Sequence, residues 1–463
     1  MVSLAKRCGF GTPKLAIGEL GALNDKLPLL ADAARVWLRI GLLSFGGPAG
    51  QIALLHREVV EQRRWIGERR FLQALNFCVL LPGPEAQQLA IYLGWLMHGV
   101  RGGLLAGGLF VLPGAVVMLV LSAVYAMLGD VPLVGALFFG LKCAVLVLVV
   151  EALLRIGGRA LRGRAAWALA AAAFVALFVF AVPFPAVVLG AGLAGWLVPG
   201  AFTAAAHGLA AADTPALIDS MLAADPGRPA RLAAGARRAG LVALLAWLVP
   251  VAVLAALGGR YSEIALFFSK MAVVTLGGAY AVLAYVAQDA VQYGWLTPAD
   301  MLAGLGLAET TPGPLILVLQ FVGFLAGFRA PGGLSGLWGG VAGSVLTLWV
   351  TFVPCFAFVF LGAPVIERLQ ENRALAGALA AVTASVVGVI ANLAVWFGLR
   401  VLFGATVRVW GIDLPVPSSI DPAALAIAAL AAVCVFRFRL GAVRTLAIAA
   451  IAGVAVGLPR ILG

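Results

Sequence analysis

Charged residues are scarce in this chain: Asp, Glu, Lys and Arg make up 11% of its 463 residues, against 63% hydrophobic residues and a mean hydropathy of +1.06. A soluble domain of this size needs a charged shell, and that class is excluded. Histidine is nearly absent, with only His56, His98 and His207, and the five cysteines (Cys8, Cys78, Cys143, Cys355 and Cys434) are scattered through mostly apolar runs. Neither residue type reaches metal-ligand spacing, so no metal or other cofactor is expected, and the cysteines read as packing residues. The Gly-x4-Gly-Lys-Ser/Thr loop of a nucleotide site is missing, and no enzyme constellation replaces it. The short alternating segments of a transmembrane β-barrel are missing too. Met1–Leu30 lacks an apolar core followed by a small-residue cleavage site, and reads as a cytoplasmic tail over 1–30.

What the chain does have is long apolar runs, among them Leu104–Leu128, Val131–Val150, Ala165–Val182 and Leu334–Leu361. Each is long enough to cross a hydrocarbon core about 30 Å thick as a helix. The fold class is therefore an all-α polytopic membrane protein of about 13 hydrophobic segments, rich in the Gly and Pro that membrane helices tolerate. The net charge of +12 resides in short loops, where it sets orientation in the bilayer and does not signal nucleic-acid binding.

The chain also repeats itself with an offset of about 230 residues. Ser44-Phe45-Gly46-Gly47 matches Thr275-Leu276-Gly277-Gly278, Trp65 matches Trp295, and Pro82-Gly83-Pro84 matches Pro312-Gly313-Pro314. Beyond an insertion near Pro331 the offset is 241, pairing Pro113 with Pro354 and Glu151 with Asn392. The matching loops differ in charge. His56–Arg70 holds five arginines, whereas Gln288–Asp300 has no Lys or Arg; Gly129–Pro132 has no base, whereas Ile366–Arg373 has Arg368 and Arg373. By the positive-inside rule the halves run in opposite orientations, as in inverted-repeat transporters. The expected organisation is a first repeat over 31–164, linker spans over 165–257 with a cytoplasmic loop at 207–238, a second, inverted repeat over 258–400, and hydrophobic segments over 401–463. With the N-terminus and the His56–Arg70 loop both cytoplasmic, Ala33–Leu55 and Phe71–His98 must each enter and return, so they read as broken, re-entrant helix pairs whose breaks face protein or water; straight single spans are the alternative, and would put that arginine-rich loop outside.

Unwound helices expose orphan N–H groups and partial positive charge, both suited to an anion. Each Gly-Gly break follows a hydroxyl, Ser44 or Thr275, and a base lies five residues before each hydroxyl, Arg39 or Lys270. The expected substrate site is Arg39, Ser44, Gly46, Gly47, Lys270, Thr275, Gly277 and Gly278, with Gln88 and Gln320 as further polar groups. Against it stands snorkelling of the two bases to the interface. The Pro-Gly-Pro breaks (Pro82, Gly83, Pro84; Pro312, Gly313, Pro314) carry Glu85 and Glu309. A carboxylate inside a membrane is a candidate proton carrier because desolvation favours its neutral form. Lys142 and Glu151 share one span and read as structural.

The ordered motifs resemble the chromate ion transporter family in its long, two-domain form. They are Ser44–Pro48, Arg70-Phe71, Leu81–Pro84, Tyr92–Gly94, Gly102–Ala106 and Leu112–Gly114, then Thr275–Gly278, Glu309–Pro314 and Phe321–Phe324. The resemblance implies a secondary transporter exporting chromate across the bacterial inner membrane and conferring chromate resistance, with sulfate as a competing near-isostere. A sulfate or other anion permease or channel is the alternative, and a membrane enzyme or assembly factor the rival class. Expected partners are a small oxyanion, the lipid bilayer and a second copy of the chain as a homodimer.

Overall fold

The computed structural model describes residues 27–45, 47–129, 131–202, 216–225, 227–275, 279–331, 334–365, 373–409 and 412–462. The first half comprises α1 (Leu30–Leu43), α2 (Gly47–His56), α3 (Glu68–Leu80), α4 (Glu85–Leu128), α5 (Pro132–Ala160), α6 (Arg164–Phe178) and α7 (Phe184–Leu197). Between the halves stand α8 (Leu217–Ala224) and α9 (Arg228–Leu257). The second half comprises α10 (Arg260–Val274), α11 (Ala279–Gln292), α12 (Pro298–Thr310), α13 (Val318–Phe328), α14 (Gly336–Gly362) and α15 (Arg373–Leu402). A hairpin of β1 (Thr406–Val409) and β2 (Ile412–Pro415) follows, then α16 (Pro422–Ala432) and α17 (Ala442–Leu462). Five of the described helices are long and apolar enough to cross a membrane: α4, α5, α14, α15 and Arg231–Leu257 of α9. The chain is a multi-pass, almost wholly helical membrane protein, and the hairpin, with Thr406 opposite Pro415, is the departure from an all-α reading. The segment expected as a loop over 207–238 contains α8 and the first turns of α9, while 203–215 lies outside the described residues.

Helix α4 is two antiparallel limbs. At His98 (φ −126°, ψ 23°) and Gly99 (φ 62°, ψ −152°) the chain turns back, so that Gly94 abuts the Gly102 carbonyl. We call the limbs α4a (85–97) and α4b (100–128). The second half builds the same hairpin from α13 and α14, with Gly327 against the Gly339 carbonyl. Without a Cβ on either partner the backbones approach closely, as small residues permit between membrane helices.

One face of the molecule gathers the ends of the first half. His98 Nε2 lies 2.8 Å from the Pro28 carbonyl, and Arg228 donates to the Met97 carbonyl at 2.8 Å. The N–H groups of Leu217 and Ile218 donate to the carbonyls of Arg64 and Trp65, and Arg70 pairs with Asp219 at 2.6 Å. Both broken pairs, α1–α2 and α3–α4a, therefore begin and end on this face. At 14 residues, α1 spans about 21 Å, short of a full crossing. The second half gathers its ends at the other end of α4b. There Asp300 accepts from Tyr125 at 2.7 Å and pairs with Arg329 at 2.8 Å, and Tyr261 donates to the Leu334 carbonyl at 2.9 Å. A Thr297–Asp300 capping box starts α12 at this face.

The shorter apolar helices cross over between halves: α6 and α7 pack on α15, whereas α16 and α17 pack on α5. Their buried positions correspond at one spacing. Ala166, Ala170, Ala173 and Leu177 stand 258 residues before Ala424, Ala428, Ala431 and Val435, as Val188, Ala191 and Gly195 stand before Leu446, Ala449 and Gly453. Gly195 abuts the carbonyl of Gly377, and Gly453 that of Ala136, its counterpart 241 residues earlier. The last two segments thus pack as α6 and α7 do.

Candidate functional site

Two turns and two broken helices meet in the interior. Pro82-Gly83-Pro84 offers one N–H in three residues, and Gly83 takes φ +122°, so α3 stops and α4a starts anew. Pro312-Gly313-Pro314 does the same in the second half, with Gly313 at φ +98°. The N–H of each turn glycine goes to the opposite half. Gly83 donates to the Thr275 carbonyl at 2.8 Å, and Gly313 to the Ser44 carbonyl, also at 2.8 Å. Ser44 and Thr275 close α1 and α10, the helices that precede the Gly-Gly breaks. Packing repeats the exchange: Gly83 lies against Cys355, one residue past Pro354, and Gly114, one residue past Pro113, lies against the Pro312 carbonyl.

Buried amides line this crossing. Gln51 donates to the Gly313 carbonyl at 2.6 Å, Gln88 to the Pro82 carbonyl at 2.7 Å, and Gln320 to the Ala115 carbonyl at 2.9 Å. Among the described residues, Oε1 of Gln88 and of Gln320 and both amide atoms of Gln87 have no hydrogen-bond partner. Leaving such groups unpaired costs roughly 1–3 kcal/mol each.

Two cavities flank the crossing at opposite faces. One, of about 540 Å³, opens on the second-half face beneath the hairpin and holds Lys270, Tyr285, Asp289, Asn392, Arg400 and Arg408. The other, of about 710 Å³, opens on the first-half face and holds Glu151, Arg155, Tyr280, Glu309 and Arg439. They correspond in construction. The turn between α6 and α7 supplies positions 177, 178 and 181–184 to the first, and the turn between α16 and α17 supplies 435, 436 and 439–442, each 258 later, to the second. Asn392 and Trp396 likewise answer to Glu151 and Arg155, 241 earlier.

The predicted residues separate into those at the crossing, those in the cavities and one outside both. Ser44, Thr275, Gln88 and Gln320 are buried at the crossing with Gly83, Pro312, Gly313 and Pro314, and Pro82 and Pro84 are partly buried there. Both hydroxyls donate back to the carbonyl four residues earlier, Ile40 and Met271, which leaves them free to accept. Gly47 opens α2 at φ +72°, while Gly46, Gly277 and Gly278 lie outside the described residues. Lys270 is exposed and faces the hairpin cavity, donating to the Tyr285 hydroxyl at 3.2 Å and lying 5.6 Å from that ring's centre. Arg39 is exposed on α1 and lines neither cavity, so the structure does not bring it together with Lys270. Glu309 is buried where the larger cavity ends, and the Tyr280 hydroxyl donates to it at 2.7 Å. Glu85 starts α4a, partly buried. Glu151 pairs with Arg155 at 3.2 Å, and Lys142 borders a smaller cavity with Arg400. Sequence reasoning missed Gln51, Tyr280 and Arg400. Gln51, a lone amide in an apolar run seven residues after Ser44, carried the one available signal.

The family model described as "Chromate transporter" matches residues 31–196 and 262–456, taking in α6–α7 and α16–α17. The chain is similar to a "Chromate transport protein" of Pseudomonas aeruginosa, 35% identical over 359 residues, which cover 76% of this chain and 77% of that one. It is similar to a "Probable chromate transport protein" of Synechococcus elongatus, 26% identical over 415 residues, 87% of this chain and 95% of that one. An uncharacterized transporter of Bacillus subtilis is 30% identical over 132 residues, 67% of its own length but 28% of this chain. No solved structure matches.

Proposed function

The chain belongs to the chromate transporter family, and on that premise we propose that it is a secondary transporter exporting chromate across the bacterial inner membrane, so conferring chromate resistance. The observation that carries this reading is the reciprocal crossing of Gly83 with Thr275 and of Gly313 with Ser44. It supports two repeats related by a two-fold axis, with their broken helices converging on one polar centre. Such irregular backbone is tolerated at membrane depth where it lines a binding site. A tetrahedral dianion needs several donors there. The site proposed is the two Gly-Gly breaks with Ser44, Thr275, Gln88 and Gln320, joined by Gln51 and by Gln87, whose Nε2 is unpaired; the hydroxyls and the Gln51 and Gln320 amides, which donate to protein carbonyls, must turn from them to donate to the anion. Lys270 lines the cavity on the outward path, whereas Arg39 lines neither cavity and is left outside the site proposed.

Inversion follows from parity. With both broken pairs entering and returning, α4b and α5 cross out and back, α6 and α7 go out and return together, and α9 then turns the second half over. The face that gathers the first-half ends carries Arg57, Arg63, Arg64, Arg69, Arg70 and Arg228, which supports a cytoplasmic side for that face and for the N-terminus. Single cysteines placed in His56–Arg70 are expected to react only with reagents inside, and those in Gln288–Asp300 only with reagents outside. Labelling of both loops from one side would refute the inverted arrangement.

Outward movement of a dianion is aided by an inside-negative potential, by about 2.3 kcal/mol per charge per 100 mV. Purified protein in liposomes is expected to pass chromate, with sulfate slower and competing. Sulfate flux without chromate flux would favour the sulfate permease, and flux of neither would remove the transporter reading.

A further inference from the structure

The hairpin has no counterpart in the first half. Three residues (Leu161 to Gly163) join α5 to α6, whereas 403–421 joins α15 to α16 and folds into β1–β2 over the cavity. That insertion brings two charged side chains, Arg408 and Asp413, to a cavity whose α6–α7 and α15 walls recur in the other cavity as α16–α17 and α5, and whose α10–α11 wall does not. Asp413 is taken up by Arg400, at 3.2 Å, and Arg400 lies over the Trp396 ring, 4.2 Å from its centre. Lys270 and Arg408 remain, from α10 and β1, against the single carboxylate of Asp289. Where the matching cavity has Glu151, this one has Asn392, which is 3% exposed and has no side-chain hydrogen bond to the described residues. Lys270, Arg400 and Arg408 against Asp289 and Asp413 leave this cavity one positive charge in excess, whereas Arg155 and Arg439 balance Glu151 and Glu309 in the other, and that excess turns it toward anions.

We infer that the cavity roofed by β1–β2 is a second oxyanion site, at the outer mouth, taking a tetrahedral dianion between Lys270 and Arg408 with the Asn392 amide as a further donor. The inference rests on the transporter reading for its place in the path, and on the cavity's own residues for its chemistry. Two flexible bases on separate elements suit a site that must release its ligand, and charge-assisted contacts supply its affinity.

Two measurements test it. In proteoliposomes, sulfate added on the hairpin face is expected to inhibit chromate flux. Lys270→Ala and Arg408→Ala should each weaken that inhibition by more than about tenfold, the loss of one charge-assisted contact. Lys270→Arg and Arg408→Lys should restore most of it, and Asn392→Asp should weaken it again. Arg408 sits on an exposed strand, so its substitution leaves the helical packing intact. Unchanged inhibition in both alanine variants overturns the proposal while leaving the transporter reading standing. The second measurement is binding of radiolabelled chromate to the detergent-purified chain, which needs no transport. A bound fraction present in wild type and lost in the Lys270→Ala/Arg408→Ala pair upholds the site even if no flux is found. Equal binding by both, or none by wild type, overturns it.

Discussion

Replacing Gly114 with alanine is expected to reduce chromate flux more than about tenfold, at equal incorporation into liposomes. A Cβ at Gly114 would fall 2.0 Å from the Pro312 carbonyl oxygen and 2.6 Å from Leu317 Cδ1. The carbonyl cannot retreat alone. Its turn is held on the far side by the Gly313 bond to Ser44 and by Gln51 on the Gly313 carbonyl. Relief therefore displaces the second-half turn and the first-half break together. Overpacking of this kind costs about 1–3 kcal/mol, enough to lower the thermal midpoint as well. Gly108, on the same limb, has nothing within 4 Å of an added Cβ, and Gly108→Ala should behave as wild type. Wild-type flux and midpoint in Gly114→Ala would show that the crossing tolerates separation and is not the centre of the path.

Glu309→Gln is expected to abolish transport driven by a pH gradient while leaving chromate counterflow exchange intact. Glu309 ends α12 at the second Pro-Gly-Pro turn, buried, with one oxygen on the Tyr280 hydroxyl and the larger cavity at its side. That cavity opens on the arginine-rich face and contains Arg155 and Arg439. A carboxylate between the crossing and an open cavity is placed to exchange a proton with one side, the arrangement a coupled transporter requires. Glutamine preserves shape and the capacity to accept from Tyr280 but holds no exchangeable charge. Glu85→Gln serves as the comparison, since Glu85 stands at the other turn. Full gradient-driven transport in both variants would remove proton coupling through these acids and leave the membrane potential as the driving force.

Several features were legible in the residues because they depend on local chemistry. Pro-Gly-Pro cannot continue a helix, so the ends of α3 and α12 could be read directly, as could the ends of α1 and α10 at Ser44 and Thr275. Apolar length gave α4b, α5 and α14, and overstated the run Ala165–Val182, whose helix α6 ends at Phe178. The hairpin in α4 was less visible, since its turn residues, His98 and Gly99, are ordinary in a helical pattern. The relation of α16 and α17 to α6 and α7 was not legible, because alanine-rich helices preserve too little side-chain identity for self-comparison. Their kinship to α6 and α7 emerges only from which positions are buried.

The sequence by itself determined the membrane class, the duplication, the four breaks and the charge asymmetry between the halves. Composition, proline chemistry and loop charge act on single segments and need no neighbour. Tertiary structure alone decided which groups meet. Arg39 and Lys270 hold equivalent places in the repeat, yet one lies on an outer surface and the other faces a cavity. The reason is that each helix face is buried or exposed according to what packs on it, and α6, α7, α16 and α17 each cover the opposite half. Only that exchange places Gly83 beside Thr275, Gly313 beside Ser44, and a cavity at each face of the same crossing.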